Sequence, residues 1–392
     1  MNLPDRIPVF LLSGFLGSGK STLLNAYLTE SEGKDTAIII NEFGDVPVDH
    51  LLVRKGETTI SKISTGCLCC SDTTDLAQTL EDLRNAALDG QTGSFSRVIV
   101  EMSGLGDPAP LVNALTEVKT ADRQIDDSCK QIEFYLAGVV TLFDTLAGAV
   151  SVENHFEAMK QIAFADQIVL TKTDLAEAIA NTADLAAISA ELRELNASAA
   201  ILDRQNVDLS DLFSPRAYAV VDRGEDVAGW LALEAALAYE ATHASQGGEK
   251  DNTLRHSAGI KTFTITCDQP VSSQKFDQFL SLLQRSAGQQ LLRVKGILAT
   301  EDAPVEPLII HAVQHTVSKP VRLPAWPDED RRTRLVFITE GVDPEPVREL
   351  FEAVIHAAPF SITEFVKRIG RALRAPFLPN FSSFTSMSRR SQ

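Results

Sequence analysis

Residues Gly14 to Ser21 read GFLGSGKS and follow directly on the apolar run VFLL from Val9. They fit the template G-x-x-x-x-G-K-[ST], in which a glycine-rich loop joins a strand to a helix. Glycines let the backbone wrap an anion, so that successive N–H groups and the following helix N-terminus point at phosphates. The helical pattern here begins near Lys20. The expected nucleotide-binding set is Gly14, Gly17, Ser18, Gly19, Lys20, Ser21 and Thr22. Lys20 would neutralise the β- and γ-phosphates, and the Ser21 hydroxyl would ligate Mg²⁺.

The chain around this loop alternates short apolar runs with amphipathic stretches. The runs are VFLL, TAIII from Thr36, RVIV from Arg97, LAGVVTLF from Leu136 and QIVL from Gln167. Helical patterns lie around Leu23–Tyr27, Leu76–Leu88, Ala109–Leu115, Phe156–Phe164 and Leu185–Leu195. Regular alternation of this kind predicts an α/β domain with a mainly parallel sheet covered on both faces, here residues 1–205. Residues 206–258 read as a connecting segment and linker, polar and rich in small residues towards the end. A smaller α+β domain is expected over 259–358, with strands in IKTFTIT, LLRVKGIL, PLIIHAV, HTVSKPVRL and RLVFIT and helices near Gln274–Leu283 and Pro346–Ala357.

Two positions bear on the base and the cation. TKTD, Thr171 to Asp174, ends the run QIVL. A carboxylate at Asp174 can accept both N1–H and N2–H of guanine, a donor pair that adenine lacks, and the Lys172 stem can lie over the ring. The segment resembles the guanine-reading N-K-x-D of GTPases, with Thr171 where Asn is usual. That Asn also braces the phosphate loop, which puts nucleotide affinity in question. Glu101 ends RVIV and precedes Met102, Ser103 and Gly104, a turn suited to sensing a γ-phosphate. Glu42, in NEFG, is followed by Asp45 and Asp49. Glu101 or the Glu42–Asp49 loop would place Mg²⁺ or the attacking water; a solvated loop carboxylate is the plain alternative for each. Lys20 and Glu101 are the expected catalytic residues.

The second strong signal is GCLCC, which holds Cys67, Cys69 and Cys70. Thiolates are soft ligands that favour Zn²⁺, Cu(I) or an iron–sulfur centre. Three of them leave one coordination position open, which suits transfer better than the closed four-ligand geometry of structural zinc. Cys67 and Cys70 also have the C-x-x-C spacing of a redox pair, and inert packing is a third reading. Cys129 and Cys267 stand alone and read as packing residues. Five cysteines in this arrangement argue against a disulfide framework.

A formal net charge of −17 repels phosphate backbones, so nucleic acid is not an expected partner. No apolar run approaches the roughly 20 residues that cross a bilayer. The start MNLPDRIPVFLLSG lacks the features of a signal peptide, and a cytoplasmic protein is expected. Residues 359–392 carry six Lys or Arg and one Glu, a tail of +5 that leaves −22 on the rest of the −17 chain. Its end, FSSFTSMSRRSQ, reads as disordered. Within it Phe365, Ile369 and Leu373 make one apolar stripe if helical, and a basic helix of that kind would dock on the acidic body, a client or a membrane.

Taken in order, GFLGSGKSTLLN, INEFGDVPVD, STGCLCC, IVEMSGLGDP and TKTDL resemble the CobW-like metallochaperone GTPases, the group of SIMIBI-class P-loop GTPases that includes zinc chaperones. LLRVKGIL, Trp326 and RTRLVFITEGVD resemble that family's C-terminal domain, and the likeness runs from about residue 7 to 357. The resemblance implies GTP hydrolysis with Mg²⁺, and zinc leaving Cys67, Cys69 and Cys70 for client metalloproteins. Glu42 is a further candidate ligand. Three departures stand out: Thr171 for Asn, Met102–Ser103 for Thr-Thr or Thr-Ser, and a linker with only His243 and His256 where many members carry a histidine tract. Cobalt cargo, a nucleotide-gated metal sensor that delivers nothing, and a small-molecule kinase are the rival functions. A nucleotide-dependent homodimer stays open.

Overall fold

The computed structural model describes residues 4, 6–29, 35–40, 60–62, 73–117, 133–178, 185–214, 259–314, 316–317, 320–327 and 329–356. The first unit runs β1 (Arg6–Gly14), α1 (Lys20–Thr29), β2 (Thr36–Ile40), β3 (Ile60–Lys62), α2 (Thr73–Leu88), β4 (Arg97–Glu101), α3 (Ala109–Glu117) and β5 (Glu133–Asp144). It continues with α4 (Gly148–Asn154), α5 (Phe156–Phe164), β6 (Gln167–Thr171), α6 (Thr173–Ala178), α7 (Leu185–Leu195), β7 (Ala200–Asp203) and α8 (Leu209–Leu212). Its sheet has the order β3-β2-β4-β1-β5-β6-β7, and every ladder in it is parallel.

A strand buried on both faces cannot alternate polar and apolar residues, which is why VFLL, TAIII and QIVL read as continuous apolar runs. In β1 every residue from Ile7 to Gly14 is buried. One face packs Leu76, Leu80, Val112, Ile162 and Phe164 from α2, α3 and α5. The other packs Leu23, Leu24 and Tyr27 of α1 with Leu209, Leu212 and Phe213. Parallel strands all point the same way, so Gly14, Glu101, Asp144 and Thr171 end four neighbouring strands at one edge. The β1–β4 register sets Leu12 opposite Glu101, and the β5–β6 register sets Asp144 opposite Thr171. Ligands of such sheets bind at this carboxyl edge, where the strand order reverses.

The second unit contains β8 (Ile260–Cys267), α9 (Ser273–Ala287), β9 (Leu291–Leu298), β10 (Leu308–Val313), β11 (Thr316–Val317), β12 (Val321–Arg322), β13 (Thr333–Glu340) and α10 (Pro344–Ile355). Its sheet, β11-β10-β9-β13-β8 with β12 also on β10, is antiparallel. Helices α9 and α10 cover one face through Phe276, Phe279, Leu283, Leu350 and Phe351. Cys267 is buried in that core as a packing residue.

Within HTVSKPVRL, Thr316–Val317 and Val321–Arg322 are strand, and both pair antiparallel with β10. β7 and α4 carried no clear pattern of their own: β7 is half-buried throughout, and α4 buries only Gly148 and Val152. Among the described residues, no helix is long and apolar enough to cross a membrane.

Candidate functional site

The loop between β1 and α1 turns through Gly17 at φ 74° and Gly19 at φ 98°, left-handed backbone that favours glycine. A Cβ at either would meet nothing within 4 Å, so the two glycines face open space of the kind a phosphate group would fill. Lys20 Nζ donates to the carbonyl oxygens of Gly14 at 2.7 Å and Phe15 at 3.1 Å. Ser18 is buried, and its Oγ has no hydrogen-bond partner. Thr22 is exposed on the first turn of α1.

Ser21 Oγ donates to Glu101 Oε1 at 2.9 Å, and Glu101 is only 6% exposed at the end of β4. A hydroxyl and a carboxylate held together beside the phosphate loop are hard oxygen donors of the type Mg²⁺ selects. Those two residues fit the cation.

The next turn is held tightly. Gly104 approaches the loop so closely that a Cβ on it would lie 2.8 Å from the Leu16 nitrogen. Gln161 Nε2, from buried α5, donates to the carbonyls of Gly104 at 3.1 Å and Gly106 at 3.0 Å. Lys160 pairs with Asp107 at 3.0 Å, and Asp107 accepts the Ala109 N–H at the start of α3. Met102 is buried and Ser103 half-buried in this turn.

TKTD closes the other side. Thr171 Oγ1 donates to the Ser18 carbonyl at 2.8 Å. Lys172 has φ 60°, and its Nζ reaches Asp144 Oδ2 at 2.6 Å. Asp144 is itself fixed by accepting the Leu146 N–H at 2.9 Å. Thr173 Oγ1 donates to Asp203 Oδ1 at 2.8 Å, tying α6 to the end of β7. Asp174 is exposed in the first turn of α6.

The fold thus gathers Gly14, Gly17, Ser18, Gly19, Lys20, Ser21, Glu101 and TKTD at one sheet edge. Glu42, Asp45, Asp49, the cysteines Cys67, Cys69, Cys70 and Cys129, and the tail 359–392 lie outside the described residues. Among the described residues, no cluster of three His, Cys, Asp or Glu could hold a metal. Asp144, Gln161 and Asp203 are site residues that sequence reasoning passed over. Asp144 ends an apolar strand as Glu101 does, a signal that could have found it. Gln161 sits within a helical pattern and carried none.

Two family models match. CobW/HypB/UreG, nucleotide-binding domain, covers residues 8–203, and the cobalamin synthesis protein cobW C-terminal domain covers residues 260–355. The zinc chaperone YjiA of Escherichia coli (strain K12) is 29% identical over 349 residues, spanning 88% of this chain and 98% of that protein. The zinc-regulated GTPase metalloprotein activator 1 of Schizosaccharomyces pombe (strain 972 / ATCC 24843) is 26% identical over 331 residues, 76% of this chain and 73% of that protein. The crystal structure of Zn(II)-bound YjiA GTPase from E. coli superposes with a TM-score of 0.64 at 23% identity, covering 90% of this chain and 99% of that one. At that identity the likeness is one of fold.

Proposed function

The chain belongs to the CobW/HypB/UreG family, and on that premise we propose that it hydrolyses GTP and passes zinc from Cys67, Cys69 and Cys70 to client metalloproteins. The observation that supports the nucleotide half is the hydrogen bond from Thr171 to Ser18, which sets TKTD beside the glycine-rich loop. The metal half is supported by the GCLCC thiolates and by the relatives whose names describe zinc chaperones and zinc-regulated GTPase activators.

The residues divide the work as follows. Asp174 accepts the guanine N1–H and N2–H, and Lys172 lies along the ring with its ammonium anchored on Asp144. The backbone N–H groups of residues 17–21 hold the phosphates, and Lys20 exchanges its two carbonyl partners for phosphate oxygens. Ser21 and Glu101, already bonded to each other, would hold Mg²⁺, and the ion would supply charge neutralisation for the phosphates. The Gly104 turn offers backbone N–H groups to the γ-phosphate. Water adds to the γ-phosphorus and the bond to the β-phosphate oxygen breaks, giving GDP and inorganic phosphate. Pairing of two copies in the GTP state belongs to the same reading; Leu16 and Leu105 are exposed apolar residues beside the loop.

The test measures phosphate release from GTP and from ATP, together with transfer of bound zinc to a chelating acceptor with and without GTP. Preferential GTP turnover that is lost in Lys20→Ala, with GTP-dependent zinc release, is the expected outcome. Equal use of ATP would remove the guanine assignment. Metal retained regardless of nucleotide would favour a sensor over a chaperone, and tighter retention of cobalt than zinc would change the cargo.

A further inference from the structure

Helix α5 joins the hydrolysis site to the second sheet. At its middle, Gln161 (1% exposed) holds the Gly104 and Gly106 carbonyls, and the adjacent Lys160 holds Asp107. At its carboxyl end, the Phe164 carbonyl accepts from Arg293 Nη1, and Arg293 Nη2 pairs with Asp166 just beyond. Arg293 comes from β9 of the second unit and is 5% exposed. Lys295, on the same strand, lies 3.6 Å from the same Asp166 oxygen.

The surroundings leave α5 little freedom. Asp166 Oδ2 accepts the Val139 N–H of β5 at 2.9 Å. Asn196 Nδ2 donates to the carbonyls of Ile162 at 2.8 Å and Ala165 at 2.9 Å. A guanidinium placed at these last carbonyls complements the helix dipole, and its planar fork makes charge-assisted hydrogen bonds of fixed orientation. A second tie runs in parallel: Asn113 Nδ2 of α3 donates to Gln314 Oε1 at 3.1 Å. The α3 helix begins where Asp107 ends the Gly104 turn. Both helices that border that turn therefore bond to the second unit.

We propose that Arg293 is a positioning residue for nucleotide hydrolysis: it fixes α5, and through the Gln161 amide it fixes the 103–106 turn, so the seating of the C-terminal sheet sets the turnover rate. Anything that lifts that sheet, such as a client docking on it, would then be felt at the phosphate loop. The inference rests on the GTPase reading above.

The experiment uses the full chain in four forms: wild type, Arg293→Met, Gln161→Leu and the double variant. Steady-state GTP hydrolysis, fluorescent-GDP affinity and thermal unfolding are measured for each. Arg293→Met should lower kcat about tenfold, the scale expected when a small misplacement disturbs a reacting geometry, with KM and GDP affinity within about twofold of wild type. Gln161→Leu should do the same, and the double variant should be no slower than the slower single one, since both act on one chain of contacts. Arg293→Lys keeps the charge on Asp166 without the forked pair of nitrogens that also reaches the Phe164 carbonyl, and should recover part of the loss.

Unchanged kcat in a folded Arg293→Met, or losses that multiply in the double variant, would overturn the proposal. So would kcat and GDP affinity falling together, which is general loosening. If Arg293→Met does not fold, Arg293→Lys with Gln161→Leu runs the same cycle. A wild type that does not turn over GTP brings down the GTPase reading and this inference with it. Wild-type turnover with indifferent variants brings down the inference alone.

Discussion

The Thr171 hydroxyl donates to the Ser18 carbonyl at 2.8 Å, a bond between residues 153 positions apart that ties the TKTD segment to the glycine-rich loop. The same oxygen lies 3.2 Å from the Phe143 carbonyl at the end of β5. Threonine is shorter than the Asn of the related pattern, yet it reaches the loop because β6 ends with Thr171 buried against it. The departure in sequence keeps the brace. Thr171→Val has nearly the same shape and removes only the donor. It should cost about 1–3 kcal/mol in stability, because a buried carbonyl loses its partner. GTP affinity should fall about tenfold, as 1.4 kcal/mol is a factor of ten. Urea unfolding and nucleotide titration check both, and Thr171→Ser should retain the wild-type values.

In the proposed reading, Asp174 governs the choice of base. Asp174→Asn presents an amide where guanine needs two acceptors, and it should shift preference from GTP to xanthosine triphosphate by at least about tenfold. Competition between the two nucleotides against a fluorescent GDP reads the shift. An unchanged ratio would remove TKTD from the base site.

Lys172 owes its position to Asp144, its partner at 2.6 Å. Asp144→Ala should loosen the lysine stem over the base and weaken GTP and GDP alike, leaving kcat at saturating GTP within about threefold. Uniform loss of binding raises KM without lowering kcat. A selective loss of kcat would mean that Asp144 serves the phosphates.

Replacing Cys67, Cys69 and Cys70 together by Ser should abolish tight zinc binding and spare GDP affinity. Hydroxyls are hard, largely protonated donors that cannot replace thiolates for this ion. Metal analysis after dialysis gives the answer; full zinc stoichiometry in the triple variant would place the metal elsewhere.

In the second unit, Asp330 accepts from Arg332 Nε and Nη2, each at 2.9 Å. That hydrogen bonding, with Arg334 nearby, holds its carboxyl below the usual carboxylate range against the opposing effect of burial. A folded-state pKa below the unfolded value of about 3.9 stabilises the fold above that pH, and the contribution is lost as pH falls through the folded value. Asp330→Asn should therefore unfold at lower temperature than wild type at pH 7, with the gap closing below about pH 4. A gap that does not narrow as pH falls below about 4 would assign the effect to packing.

What the sequence determined by itself was local. GFLGSGKS names its own loop because backbone N–H groups must be contiguous to wrap a phosphate, and the glycines that allow it fall within eight residues. The continuous apolar runs announced a buried parallel sheet because both faces of each strand need cover. TKTD stood out for the same reason as the loop: the atoms proposed to read the base lie within four residues. What only the tertiary structure decided were partnerships across long gaps. Ser21 meets Glu101 80 residues on, Lys172 meets Asp144 28 residues back, and Arg293 meets Asp166 127 residues back. Which carboxylate faces which cation depends on strand order and on which side chains burial leaves without water. Gln161 shows the limit most plainly: in FEAMKQIAF it is one polar residue among others, until packing buries its amide against two glycine carbonyls.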